Sequence, residues 1–297
     1  CWRTKWKPAA TYMPSTTRQS FLVVLWAHRI FAFHDIGAHP FVRRLPDGLP
    51  EYPLNAAPEQ PKLPASPSML REEFRSTVAD DPFNVATSGA LAFGIFFGAR
   101  ISACAPKTPH AFDPTYQVRR GGVRFLLRRH IVTRLPKYFG TSIGGEPVFR
   151  DSPMEPWQDI GAFADTIVVD FPGRKMGRTA PYTRAVRATG DILCVVAWVA
   201  ATIIACPAPD DAAIFTVSAS RGSVAYNDVS AAVKGAAARV GLERRDFATH
   251  SLRAGFASMG FSVLGHAGLP LIKLHAVWNS DCVLRYIVGP LSAIQIP

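Results

Sequence analysis

Eight prolines fall between Pro40 and Pro67. Each one fixes φ and removes an amide donor, so neither a helix nor a sheet ladder can run through that stretch. The chain must therefore fold as two modules joined by an extended connector. We assign residues 1–54 to a partial N-terminal helical domain, 55–67 to the proline-rich linker and 68–297 to a second, larger domain. In the first module, residues 16–36 are apolar on most faces and free of proline, which fits a buried helix starting near Thr16 or Thr17. The HDIG at 34–37 reads as the end of that helix at Gly37, since only His28 lies upstream in it as a further metal ligand. The opening CWRTKWKPAATYMP has no apolar signal region, and a chain that begins at Cys1 is expected to lack part of its N-terminal domain.

Charge narrows the partner. The 33 Lys and Arg against 22 Asp and Glu leave a net +11, which favours polyanions, nucleic acid or an anionic membrane surface. The longest apolar run, Ile192 to Ala205, is about 14 residues, and a membrane-spanning helix needs roughly 20. It reads as a buried helix, and no membrane partner is expected. Cys1, Cys104, Cys194, Cys206 and Cys282 are scattered without a CxxC pair, so neither a zinc ribbon nor a disulfide framework is indicated. A reducing, intracellular compartment fits, the nucleus if the source is eukaryotic.

After the linker, helical patterning restarts in SPSMLREEFRSTV, with Ser66 or Ser68 as N-cap. SGALAFGIFFGARISACAP reads as one apolar helix stopped by Pro106, with Arg100 near its C-terminal end, where a lone charge needs a partner. Arg119, Arg120, Arg124, Arg128, Arg129, Arg134 and Lys137 form a run without an acid, read either as a solvated face or as phosphate contacts. TIVVDFPGRKMGRTAPYTRAV reads as a β-hairpin turning at Pro172-Gly173, with Lys175 at or just past its tip. AYNDVSAAVKGAAARVGL is an amphipathic helix capped by Asn227 or Asp228, with Val229, Val233, Ala236 and Val240 on one face and Gly241 as its stop.

In ATHSLRAGFASMG, Thr249 can cap a helix whose first turn carries His250 and, three residues on, Arg253, on one face. Downstream, Trp278 precedes a helix capped by Ser280, and Tyr286 lies toward that helix's end before Gly289-Pro290. Taken singly, such an HxxR pair is a surface arrangement and such aromatics are core residues. Their order and spacing carry more.

Taken together, these stretches resemble the tyrosine recombinase (phage integrase) family, and especially the DIRS-type and Crypton-type recombinases of mobile elements. FFGARISA resembles the family's first-arginine motif and implies Arg100; PGRKMGR resembles its lysine hairpin and implies Lys175. THSLRAG resembles the histidine-arginine box, implying His250 and Arg253, and VWNSDCVLRYI the closing segment, implying Trp278 and Tyr286. PKLPASPSMLREEF and FDPTYQVRRGGVRF are similar to the entry and first sheet of the catalytic domain, so the match spans about residues 60 to 290. The implied fold is mainly α with a small antiparallel β-sheet (α+β), preceded by a helical DNA-binding domain. The implied partner is double-stranded DNA, bound by a homo-oligomer, dimer or tetramer. Arg119, Arg120, Arg124, Arg128, Arg129, Arg174 and Arg178 are candidate DNA contacts. Two departures stand out: many members carry an acid where this chain has Ala103, and a Gly-Arg where it has Ala276-Val277.

The residue types suit DNA strand transfer. A phenol needs a base or a positive field to attack phosphorus, which Tyr286 would find in His250 and the arginines. Two guanidiniums, Arg100 and Arg253, can grip non-bridging oxygens in bidentate fashion. Lys175, with its ammonium pKa lowered by Arg174 and Arg178, can protonate the leaving 5′ oxygen, and the Trp278 indole N–H can donate to the phosphate. A 3′-phosphotyrosyl bond conserves the energy of the broken ester, so neither metal, ATP nor another cofactor is implied.

Rival readings remain. A DNA-binding descendant that has lost turnover keeps the same residues; a type IB topoisomerase uses the same chemistry. GTSIG at 140–144 formally matches GxSxG and nominates Ser142 as a hydrolase nucleophile, although the glycines and prolines after it oppose the helix such an elbow requires.

Overall fold

The structure, a computed structural model, describes residues 62–173, 180–278, 283 and 287. These belong to the compact unit Pro61–Pro297. Its first residues are already pinned to the body: the Leu63 and Ala65 amides donate to the carbonyls of Asp246 (2.9 Å) and Ser251 (2.8 Å).

Two helices, apolar on all sides, form the centre. Helix α1 (Pro67–Arg75), whose cap Ser66 accepts from the Met69 amide at 3.2 Å, lays Met69, Leu70 and Phe74 into the core beside them. Helix α2 (Pro82–Phe96), the first of the central pair, begins at a proline behind Asp81, whose carboxylate accepts from the Phe83 and Asn84 amides. It packs against α3 (Val195–Ala205), the apolar run read from the sequence as buried. An all-round apolar helix is stable only where neighbours cover every face. The Thr202 hydroxyl at their contact is satisfied by the carbonyls of Trp198 (2.8 Å) and Val85 (3.3 Å). Among the described residues no helix is long and apolar enough to cross a membrane.

An antiparallel four-stranded sheet covers this pair, in the order β2-β1-β5-β6: β1 (Val123–Leu127), β2 (His130–Ile131), β5 (Thr166–Phe171) and β6 (Tyr182–Arg187). In β5 the strict alternation buries Ile167, Val169 and Phe171. The predicted hairpin is β5–β6, paired from Thr166↔Arg187 to Phe171↔Tyr182. Two small ribbons, β3 (Tyr138–Thr141) with β4 (Pro147–Arg150) and β7 (Thr216–Ser218) with β8 (Gly222–Ser223), complete a mixed α+β architecture.

Helix α4 (Tyr226–Arg239) buries Val229, Val233 and Ala236 as the periodicity predicts, and Asp228 accepts from the Ala225 amide at 2.9 Å. Val240, placed on the same face by the sequence, is 37% exposed, because the helix ends at Arg239 and Gly241 turns the chain away at φ +78°. Helices α5 (Thr249–Leu264) and α6 (Leu269–His275) follow. Thr249 is the first helical residue of α5, not its cap; Ser251 accepts from the Ala248 amide instead, and the Thr249 hydroxyl is used elsewhere.

Candidate functional site

Arg100 is not on a helix. The apolar pattern predicts a continuous helix to Pro106, but α2 stops at Phe96 and Gly98 adopts φ +55°. A Cβ at Gly98 would stand 2.6 Å from the Phe256 ring and 2.9 Å from the Ala276 Cβ, so only glycine permits both the left-handed turn and the close approach of α5 and the end of α6. Arg100 follows in extended conformation as the N-cap of a short 3-10 turn, Ile101–Ala103, with its side chain exposed. A charge that would have needed a partner inside a helix is thus turned to the surface.

Arg253, on α5, is 5% exposed. Its Nη2 donates to the Ala276 carbonyl at 3.1 Å and its guanidinium carbon lies 4.3 Å from the centroid of the Trp278 ring. Trp278 is brought there by the end of α6, where the Trp278 amide donates back to Lys273 (2.8 Å) and the Val277 amide to Leu274 (3.3 Å). That 6→1 and 5→2 pairing is a Schellman motif, with Val277 at the left-handed position, φ +53°. A β-branched residue there is strained. Behind it Trp278 packs in a small core with Ala257, Ile272, Ala276, Val283 and Ile287.

Arg100 and Arg253 line one cleft of about 420 Å³, together with Lys107, Arg184, Tyr226 and His275. Gly173, where the β5–β6 hairpin leaves its strand, is part of the same wall, and so is Ala103. No carboxylate lies among the described lining residues. Arg100, Lys107, Arg184 and Arg253 thus share one wall, and low-dielectric walls concentrate their field. His250 senses it: burial, then the neighbouring guanidiniums of Arg253 and Arg100, hold its imidazole below the ordinary histidine value, so it is neutral at pH 7. A neutral imidazole beside two guanidiniums can accept a proton.

The structure thus brings Arg100, His250, Arg253 and Trp278 together. Lys175, Arg174, Arg178 and Tyr286 lie outside the described residues, as does HDIG at 34–37.

The proposed DNA contacts separate into groups. Arg119 is exposed, and so are Arg128 and Arg129, which form the two-residue turn between β1 and β2, both at positive φ (50° and 73°). Arg120 corrects the sequence reading. It is 6% exposed and its guanidinium donates to the carbonyls of Ile203 (2.5 Å) and Cys206 (2.6 Å), capping the C-terminus of α3, where unpaired carbonyls attract a cation. Arg124 is held in a bidentate pair by Asp170 across the sheet, at 2.7 and 2.9 Å, so its charge is locally cancelled. Ser142 also fails as an elbow nucleophile: it sits in the turn from β3 to β4, hydrogen-bonded to Glu146, and a strand follows it instead of a helix.

Sequence reasoning does not single out Lys107, Arg184, Tyr226 or His275. Only Arg184 carries a signal, since period-two alternation in β6 turns it inward with Tyr182 and Val186. Its Nη2 donates to the Leu274 carbonyl, tying the sheet to α6. His275 is wedged between the Phe97 and Phe256 rings with Nε2 3.0 Å from the Phe96 carbonyl. Burial and Arg184 lower its pKa against that hydrogen bond, so the neutral ring carries its proton on Nε2.

No protein-family model matches the chain, and no curated protein matches it. Among solved structures it is similar to the XerH site-specific recombinase bound to difH substrate in a pre-cleavage complex, at a TM-score of 0.47 and 11% identity over 94% of this chain and 71% of that one. It is also similar to XerH bound to a palindromic difH substrate in a post-cleavage complex, at 0.44 and 10% over 93% and 69%.

Proposed function

We propose that this chain is a tyrosine recombinase: a DNA strand transferase that breaks and rejoins duplex DNA through a 3′-phosphotyrosyl bond, with Tyr286 as nucleophile. The observation that carries this reading is the cleft itself, in which Arg100 and Arg253 from separate segments share a wall without a carboxylate among its described residues, and His250 stands within their field. Burying a guanidinium to 5% exposure costs several kcal/mol unless geometry compensates. The Trp278 ring and the Ala276 carbonyl offset part of that, and a bound phosphate would add a charge-assisted contact.

In the proposed step Arg100 and Arg253 each hold a non-bridging oxygen while the Tyr286 oxygen attacks phosphorus. His250, neutral in the free protein, takes the phenolic proton. The P–O5′ bond breaks, and Lys175 gives its proton to the departing oxygen; the reverse steps reseal the strand. Trp278 holds Arg253 in plane. Both guanidiniums counter the charge that grows on the five-coordinate phosphorus, the largest contribution an active site of this kind makes.

The DIRS-type or Crypton-type affinity, the assembly of copies on DNA and a mobile-element source belong to the same proposal and rest on the sequence motifs. Ala103 stands in the cleft wall where many members of the family carry an acid, which favours the second reading, a DNA-binding descendant without turnover.

The test uses the full chain and a pool of nicked duplexes with a randomised core, analysed on a denaturing gel. A covalent adduct from the wild type and none from Tyr286→Phe is the expected result. Binding to duplex without any adduct would instead identify the inactive descendant.

A further inference from the structure

The cleft contains a phenol that the mechanism above leaves unused. Tyr226, the first residue of α4, is 39% exposed and lines the cleft with Arg100 and Arg253. Its main chain is fixed on both sides: the Tyr226 amide donates to the Pro106 carbonyl at 2.7 Å, and the preceding amide of Ala225 is held by the Asp228 carboxylate at 2.9 Å. The ring is therefore presented from a rigid helix start.

The Tyr226 hydroxyl accepts a hydrogen bond from the Thr249 hydroxyl at 2.5 Å. Thr249 is 5% exposed and directly precedes His250. A phenol has one proton, and when its oxygen accepts from threonine that proton is left for a third group, which is water in the free protein. The accessible part of this side chain faces a cleft whose charged lining, among the described residues, is entirely cationic, so no carboxylate there competes for that proton. The acceptor that fits is an anion held by the two guanidiniums.

We infer that Tyr226 is a phosphate-contacting residue, whose hydroxyl donates to a non-bridging oxygen of the scissile phosphate, and that Thr249 is a positioning residue that orients it. This rests on the strand-transfer reading. The arrangement ties the two arginine sites to the start of α5 through one hydroxyl pair. It also gives the phosphate a neutral donor that adds directionality without further charge.

The experiment compares wild type, Tyr226→Phe, Thr249→Val and Tyr286→Phe on a nicked duplex selected for adduct formation. It measures the rate of adduct formation, duplex affinity and thermal midpoint. Tyr226→Phe should slow adduct formation about ten- to a hundredfold, the range for losing one donor to a charged transition state. Duplex affinity should change far less than the rate, the midpoint should fall only by the small amount expected for one lost hydroxyl pair, and Thr249→Val should show a smaller loss of rate in the same direction. A duplex with a methylphosphonate at the scissile position lacks one charged oxygen, and on it the difference between wild type and Tyr226→Phe should shrink. Unchanged kinetics in Tyr226→Phe, with Tyr286→Phe inert, would overturn the role of Tyr226 and leave strand transfer standing. An adduct that survives in Tyr286→Phe would overturn the strand-transfer reading itself.

Discussion

The Arg253 guanidinium is clamped between two groups two residues apart, the Ala276 carbonyl and the Trp278 ring. Both are delivered by the turn that ends α6. The orientation of a buried cation on one helix is thus decided by how a different helix terminates.

Replacing Arg253 by Lys keeps the charge but loses the planar fork and most of the stacking. We expect Arg253→Lys to lower stability by about 1–2 kcal/mol in denaturant titrations, the scale of a desolvated cation–π contact. Adduct formation should fall by roughly two orders of magnitude, the scale for removing a preorganised donor. Trp278→Phe, which retains a ring, should lose less stability than Trp278→Ala. Equal losses would show that stacking does not hold the guanidinium.

Val277 occupies the left-handed position of the Schellman motif at φ +53°. Glycine removes the clash between Cβ and carbonyl, worth about 1–2 kcal/mol, and returns part of it as backbone entropy. Val277→Gly should therefore stabilise the protein by about 0.5–1 kcal/mol, read as a shift of the urea midpoint at constant slope. A destabilised variant would mean that the Val277 side chain contributes packing that outweighs the strain.

The arginines separate by salt dependence. Arg128 and Arg129 are exposed at a positive-φ turn, so Arg128→Asn with Arg129→Gly should stabilise the fold. The same double substitution should reduce the slope of log affinity against log salt by about one for each phosphate no longer neutralised. Arg120→Ala should do the reverse. It strips two charged hydrogen bonds from buried carbonyls at the end of α3, costs about 2–3 kcal/mol and leaves the salt slope unchanged. Binding isotherms at several salt concentrations and denaturation curves distinguish the two patterns.

His250 and His275 both titrate below the ordinary histidine pKa of about 6.5 in the folded protein, burial being the largest cause in each. The unfolded chain then binds more protons than the folded one across that interval, so stability rises with pH. It should be full above about pH 6.5 and decline as the pH falls below it toward the folded values. His275→Phe, which keeps the ring stack against Phe97 and Phe256, should flatten that decline, measured as thermal midpoint against pH. His250 keeps more solvent contact than the half-buried His275, so its share should be the smaller.

The local pattern of this chain determined much of what was found. A serine cap at Ser66 or Ser68, the alternation that makes β5 and β6 a hairpin, the buried face of α4 and the apolar run of α3 are set by short-range chemistry and were legible in the sequence. The His250 and Arg253 pair was readable for the same reason, since one helical turn fixes their separation. Other features had no local signature. That α2 stops short of Arg100 depends on Phe256 and Ala276 crowding Gly98 from elsewhere in the chain. That Arg120 caps α3, while Arg128 and Arg129 face water, depends on which carbonyls lie within reach. That Tyr226 meets Thr249 beside the arginines depends on two helix starts approaching across 23 residues. Hydrophobic periodicity specifies which face of an element is buried; it carries no information about which distant polar group that burial brings within hydrogen-bonding distance, and in this protein the cleft is made of such encounters.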